Sequence, residues 1–231
     1  MRPFVATTVV AAVLLAAGCG GGSSPHGNGE ATKSADQVLA DAVKATDSAS
    51  SLRMTGDVSS THGPIGIDYS IARGKGGEGS LTLGGDKAQL IVVGHDGYLK
   101  AGPGGWNQLA GTGGAMIAQR LRGRWLKFPV DNPQFQPIVG FTDPKALVHQ
   151  QMEPTSDSVP TNAGVKTYKG MRVVEIRDAV HGGKLYVAAD GPAYPVALVG
   201  SVGGTIAFDR WNQPVSPKAP TNVVDLSQLA G

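Results

Sequence analysis

Leu52-Arg53-Met54-Thr55-Gly56-Asp57-Val58 and, beyond His62-Gly63-Pro64, Ile65-Gly66-Ile67-Asp68-Tyr69-Ser70-Ile71-Ala72 carry the alternation that decides the fold. Leu52, Met54 and Val58, then Ile65, Ile67, Tyr69 and Ile71, fall on one face, because successive side chains of a strand point to opposite sides. His62-Gly63-Pro64 supplies a turn between the two strands. Leu81 and Leu83 continue the pattern as a short third strand, and Gly84-Gly85-Asp86 turns the chain into a fourth from Gln89 to Gly94. His95-Asp96-Gly97 leads into Tyr98-Leu99-Lys100, and Gly102-Pro103-Gly104-Gly105 into Trp106-Asn107-Gln108-Leu109. The stretch reads as an antiparallel meander with one apolar face.

Outward from the meander the period changes to that of a helix. Upstream, Ser34 and Gln37 form a capping-box pair, and Val38, Leu39, Ala42, Val43 and Ala49 make one apolar stripe. Downstream, Ala115 to Arg122 reads as a helix, and Asp143-Pro144 opens another from Lys145 to Met152. Phe128 to Phe141, with three prolines, reads as irregular loop. Strands return at Val165–Tyr168, Met171–Asp178, Lys184–Ala189, Pro195–Gly200 and Gly204–Phe208. About ten strands against three short helices predict an α+β fold. A sheet of that width buries its apolar face most economically by curling around the helices as a half-barrel.

The first 33 residues have a different logic. Arg2 gives a positive start, Phe4 to Ala17 is dominated by Val, Ala and Leu, and small residues lead into Cys19, the only cysteine. This is a secretory signal, too short for a comfortable transmembrane helix of about 20 residues. Ala16-Ala17-Gly18-Cys19 looks like the lipobox of bacterial lipoproteins, with Ala16 where Leu is usual and Leu15 one step back. The resemblance implies a diacylated Cys19 as the first mature residue; cleavage by the ordinary signal peptidase is the alternative. The expected divisions are a cleaved signal at 1–18, a lipidated cysteine and flexible tether at 19–33, and a single domain at 34–231. Each acyl CH₂ contributes about 0.8 kcal/mol, so two or three chains hold such a domain on a membrane.

Composition narrows the function. The formal charge is +2, and +1 without Arg2, far from the concentrated positive surface that nucleic acid requires. With Cys19 as the sole cysteine, no intramolecular disulfide forms and stability rests on packing. Gly74-Lys75-Gly76-Gly77-Glu78-Gly79 has the spacing of a dinucleotide fingerprint, but that motif needs a helix after it. Here the strand around Leu81 follows, so a hairpin loop is expected. His26, His62, His95, His149 and His181 lack metal-ligand spacing, no Gly-x-Ser-x-Gly elbow is present, and no reaction centre emerges. The chain therefore reads as a non-enzyme without cofactor or metal. Arg120, Arg122, Arg124 and Lys127 surround Leu121, Trp125 and Leu126. They read either as cations at a helix C-terminus or as contacts for anionic headgroups at a cavity mouth.

Gly170 to Ile176, Lys184-Leu185-Tyr186-Val187 with Asp190-Gly191-Pro192 and Tyr194-Pro195 form one set of motifs. Gly204 to Phe208 with Trp211-Asn212-Gln213-Pro214-Val215 and Ala219-Pro220 form another. Together they resemble the actinobacterial LppX/LprG lipoprotein group, related to the LolA and LolB lipoprotein carriers. The resemblance implies a half-barrel of antiparallel strands, LolA-like, around a hydrophobic cavity for acyl chains of lipids or glycolipids. The side chains expected to line it are Ile67, Tyr69, Ile71, Leu81, Leu83, Met116, Ile117, Leu121, Val174, Ile176, Leu185 and Val187. The expected function is a lipid-binding and lipid-transporting lipoprotein on the extracytoplasmic face of the cell membrane, with an envelope transporter as a further partner. The alternative is a structural lipoprotein with a filled core that assists such a partner. Cargo, direction of transfer and oligomeric state are left open.

Overall fold

The computed structural model describes residues 27–59, 63–142, 157–201 and 203–229. The signal, Cys19 and the helix expected at 145–152 lie outside the described residues. The first helix, α1 (Ala35–Ser48), starts with the expected capping box: Gln37 N–H donates to Ser34 Oγ, and Ser34 N–H donates to Gln37 Oε1. Such a cap contributes about 1 kcal/mol.

The strands β1 (Ser51–Val58), β2 (Ile65–Ala72), β3 (Gly76–Leu83), β4 (Asp86–Val93), β5 (Asp96–Ala101) and β6 (Trp125–Pro129) form the first half of a sheet. β7 (Pro160–Tyr168), β8 (Met171–Asp178), β9 (Lys184–Ala188), β10 (Pro195–Val199), β11 (Gly204–Asp209) and β12 (Val223–Asp225) form the rest. The sheet is curved and unclosed, in the order β12-β6-β5-β4-β3-β2-β1-β11-β10-β9-β8-β7. β1 pairs with both β2 and β11, so it joins the two halves. Neighbours are antiparallel throughout except β12, which runs parallel to β6.

Registers chained across the sheet define two rims. Ser51, Ala72, Gly76, Val93, Asp96, Pro129 and Asp209 lie at the near rim, with Pro195, Ala188 and the Tyr168–Met171 turn. Val58, Leu83, Ala101, Val199, Lys184 and Asp178 lie toward the far rim. Between Asp209 and Val223 the chain goes from near to far rim and shifts seven places along the sheet, about 34 Å at the usual strand spacing. Pro214, Pro217 and Pro220 keep this segment extended and deprive it of ladder donors.

Several sequence expectations are corrected. Trp106–Leu109 is not a strand but part of α2 (Pro103–Ala110), because Gly102 as an extended N-cap and Pro103 at the first helical position start a helix. α3 (Gly114–Leu121) packs across it; a Cβ on Gly114 would sit 2.4 Å from the Trp106 carbonyl oxygen. The expected loop at 128–141 instead holds the end of β6, a 3₁₀ turn at Pro133–Phe135 and a short α4 (Gln136–Val139). Phe135 stacks on Phe128 at 3.9 Å between ring centroids. β12 has only three residues, too few for a visible alternation. The segment expected to be a loose tether up to residue 33 is docked from residue 28 onward. Asn28 N–H donates to Ala189 O, Asn28 Nδ2 donates to Ala188 O and Gly191 O, and Asn162 Nδ2 donates to Glu30 O and Lys33 O.

The glycine run also gains a physical role. Gly74 lies in the β2–β3 turn, as the hairpin reading expects, but Gly76, Gly77 and Gly79 belong to β3. Tyr69 of β2, fully buried, lays its ring across that stretch: a Cβ on Gly77 would lie 2.5 Å from Tyr69 Cε1 and 2.6 Å from Ser70 O. Replacing Gly77 with Ala should therefore cost about 1–3 kcal/mol through overpacking, read as a lower urea midpoint at unchanged slope. An unchanged midpoint would show that the ring is free to move aside.

Candidate functional site

Among the described residues, the apolar inner face of the sheet carries two hydrophobic cores. Under α2, α3 and α4 lies the larger core, with Met54, Tyr69, Leu81, Leu83, Leu90, Leu99, Trp106, Leu121, Leu126 and Phe128. Under α1 lies a smaller one, with Val38 and Ala42 against Val174, Ile176, Leu185 and Val187. Leu198 of β10 is partly buried against both.

At the near rim, a seam between the end of α1 and the edge of the larger core opens into a cavity of about 340 Å³. Its floor is Leu52 of β1 and Ile71 of β2; Thr46, Ala49 and Ser50 form one wall; Arg73 and Thr142 stand at its edge. The wall is pinned in place. Arg73 N–H donates to Ser50 O, and the Arg73 guanidinium donates to Thr46 O in the last turn of α1, a favourable place for a cation. Asn212, in the left-handed conformation with φ 59°, accepts from Ser50 N–H, donates its own N–H to Ser51 O, and donates through Nδ2 to the Tyr194 hydroxyl. Tyr194 in turn stacks on Trp211 at 4.3 Å. The Tyr194-Pro195 and Trp211-Asn212 motifs thus brace the mouth of this cavity. An apolar floor with a charged edge, where Asp47 and Arg73 both stand, suits an amphiphile: the tail displaces water below while a polar head stays at the lip.

The predicted lining residues do not share one cavity. Ile67, Tyr69, Ile71, Leu81, Leu83 and Leu121 are buried in the larger core, and Ile117 is partly buried against it. Val174, Ile176, Leu185 and Val187 belong to the smaller one, and Met116 is 59 % exposed. Of the set, only Ile71 reaches the seam cavity. Thr46, Ala49, Leu52 and Arg73 went unassigned as site residues, although Leu52 and Ala49 stand in the apolar patterns; what brings them together is the β1–β2 register and the direction of α1.

The basic cluster divides as well. Arg124 donates to the carbonyls of Leu121 and Arg120, which end α3, and Arg120 donates to Leu229 O. Arg122 is the C-cap of α3 at φ 50°, and Lys127 pairs with Asp96 at 3.0 Å on the outer face. α3 ends at the far rim, opposite the seam mouth.

A second depression, of about 500 Å³, lies on that outer face. Its walls mix charged and polar side chains with Ile91 and Trp125 and are in part already paired: Arg53 holds Asp68 in a two-pronged bond of 2.7 Å on each side, which keeps the Asp68 carboxyl below its ordinary pKa.

His181, expected to be a free turn residue, is held between two carboxylates. Its Nδ1 lies 2.8 Å from Asp178 Oδ2 and its Nε2 3.4 Å from Asp157 Oδ2. The backbone N–H of His181, its ring and the Val180 N–H pull the Asp178 pKa down to about 2. The bond to Asp178, with Asp157 beside it, raises that of His181. The Asp178-x-x-His181 spacing was the available signal. Asp178 adds stability above its unfolded pKa of about 3.9, lost as pH falls through about 2. His181 adds stability below about 6.5, lost as pH rises through its raised folded value. Both contributions are complete only between roughly pH 4 and 6.5. An NMR titration of the His181 ring should give a midpoint above about 6.5 that falls toward that value in Asp178→Asn. A midpoint at or below it in the parent chain would contradict the clamp.

No family model and no curated protein matches the chain by sequence. Solved structures do. LprF from Mycobacterium bovis superposes with a TM-score of 0.50 at 15% identity, over 80% of this chain and 96% of that one. The lipoprotein LppX from Mycobacterium tuberculosis gives 0.50 at 14% identity, over 80% and 98%. The chain has the fold of LprF and of the lipoprotein LppX.

Proposed function

We propose that this chain is a lipid-anchored, extracytoplasmic binding protein that takes the apolar part of a lipid or glycolipid into the seam between the end of α1 and the larger core, without making or breaking a bond. The observation that carries the reading is the cavity of about 340 Å³, floored by Leu52 and Ile71 and edged by Asp47 and Arg73, which the helices among the described residues leave open. Its size falls in the usual range of small-molecule sites, about 300–1,000 Å³. Apolar area transferred from water there is worth about 25 cal/mol per Å². The lipobox-like Ala16-Ala17-Gly18-Cys19 supports acylation at Cys19, and the shared fold with a protein named as a lipoprotein is consistent with it. Handing the cargo to an envelope transporter belongs to the same proposal.

One observation favours a limited form of the filled-core alternative. Under α2 and α3 the sheet is solid, with Tyr69, Phe128, Leu81 and Leu83 all nearly inaccessible. Cargo is therefore assigned to the cavity at the end of α1, at the edge of that core, and not beneath α2 and α3.

Ser50 is exposed at the seam wall and offers a way to fill it. Ser50→Trp should weaken binding of a fluorescent fatty-acid analogue at least tenfold while the urea midpoint stays within the shift expected of about 1 kcal/mol. Arg73→Ala should weaken an anionic analogue more than a neutral one. Unaltered affinity in both variants would remove the seam as the site.

A further inference from the structure

The strands that floor the seam also build the outer depression. Leu52 and Ile71 line the seam, and their neighbours Arg53 and Ser70, pointing to the opposite side of the sheet, line the hollow of about 500 Å³. Its shape follows from the register. Ser80 lies between Asp68 and Gln89 on the flanking strands, and Ser70 between Arg53 and Glu78. Two short hydroxyl side chains among four long ones leave the hollow. Trp125 of β6 walls it beyond Gln89 and Ile91, with the Lys100 ammonium over the indole at 6.0 Å from the ring centroid. Arg210, just past β11 with φ 52°, walls it beyond Arg53. The volume falls in the usual range of small-molecule sites, about 300–1,000 Å³.

The charges on this face cancel. Among the described residues of β1 to β6 and the end of β11, the outward cations are Arg53, Lys87, Lys100, Lys127 and Arg210. The outward carboxylates, as many, are Asp57, Asp68, Glu78, Asp96 and Asp209. An anionic ligand would meet Asp68 and Glu78 in the hollow, and an acyl chain would strip water from four charged groups there. We propose that the outer depression binds a neutral saccharide. Sugar hydroxyls both donate and accept, which matches a wall of guanidinium donors, carboxylate acceptors, the Gln89 carboxamide and the Ser70 and Ser80 hydroxyls. The C–H face of a sugar ring needs an apolar partner, and Trp125 and Ile91 supply it. The fork between Arg53 and Asp68 holds both groups in place before the ligand arrives, so little ordering is left for binding to impose. This site is independent of the seam, from which the sheet itself separates it.

The test uses the full chain and saturation-transfer NMR with maltotriose, cellotriose and mannotriose as probes. At least one of the three should bind. Ser80→Phe fills the hollow with a residue that a strand accepts and should weaken that binding about tenfold. Trp125→Ala should weaken it about fivefold through loss of the aromatic platform. Ser50→Trp, which closes the seam on the other face, should leave it within about twofold, so failure of the seam and failure of this site are told apart. The anionic trigalacturonate should bind more weakly than the preferred neutral probe. Absence of transfer to all three neutral trisaccharides would overturn the proposal, and so would binding that neither Ser80→Phe nor Trp125→Ala alters. Trigalacturonate bound as tightly or more tightly would overturn the assignment of a neutral ligand.

Discussion

A sheet of this width has more apolar inner surface than its described helices cover in one piece, and that mismatch governs the molecule. α1 covers β8 and β9, and α2 to α4 cover β1 to β6. Curvature brings the two patches toward each other, but among the described residues only Leu198 is shared between them. Each large side chain buried on either side contributes about 1.5–3 kcal/mol, so both cores are well founded and neither needs the other to be dry. The seam beside them is the place we propose for a guest.

Much of this was legible in the letters because alternation and helix caps are local signals. β1, β2 and β8 stand where the period of two placed them, and α1 begins at its capping box. Failures came where local pattern and tertiary context disagree. Trp106 and Leu109 look like strand residues, yet Gly102-Pro103 starts a helix that carries Trp106 into the core. β12 exists because a proline-rich segment delivers Val223 to the edge of β6, which no short window can reveal. The site was the least legible part. Thr46, Leu52 and Arg73 come from a helix end, a strand start and a turn, and only the register of β1 with β2 assembles them.

The same register explains the motifs that suggested the family resemblance. Tyr194, Trp211 and Asn212 are distant in sequence from Ser50 and Ser51 but bond or stack in one bracket around the start of β1. Asn212 accepts its left-handed backbone there because its short polar side chain bonds on both sides. The bracket fixes the wall of the seam, so residues remote from any ligand set the shape of its mouth. Shared architecture with LprF and LppX at 14–15% identity fits a fold maintained by such geometric constraints more than by particular side chains.

The central claim is that the seam holds an apolar guest. Native mass spectrometry of the intact chain, released gently from the membranes of a lipoprotein-acylating host, tests it most directly. The account predicts a second species heavier than the acylated polypeptide by the mass of one lipid, absent from Ser50→Trp. A single species at the mass of the acylated polypeptide, unchanged by that substitution, would contradict it.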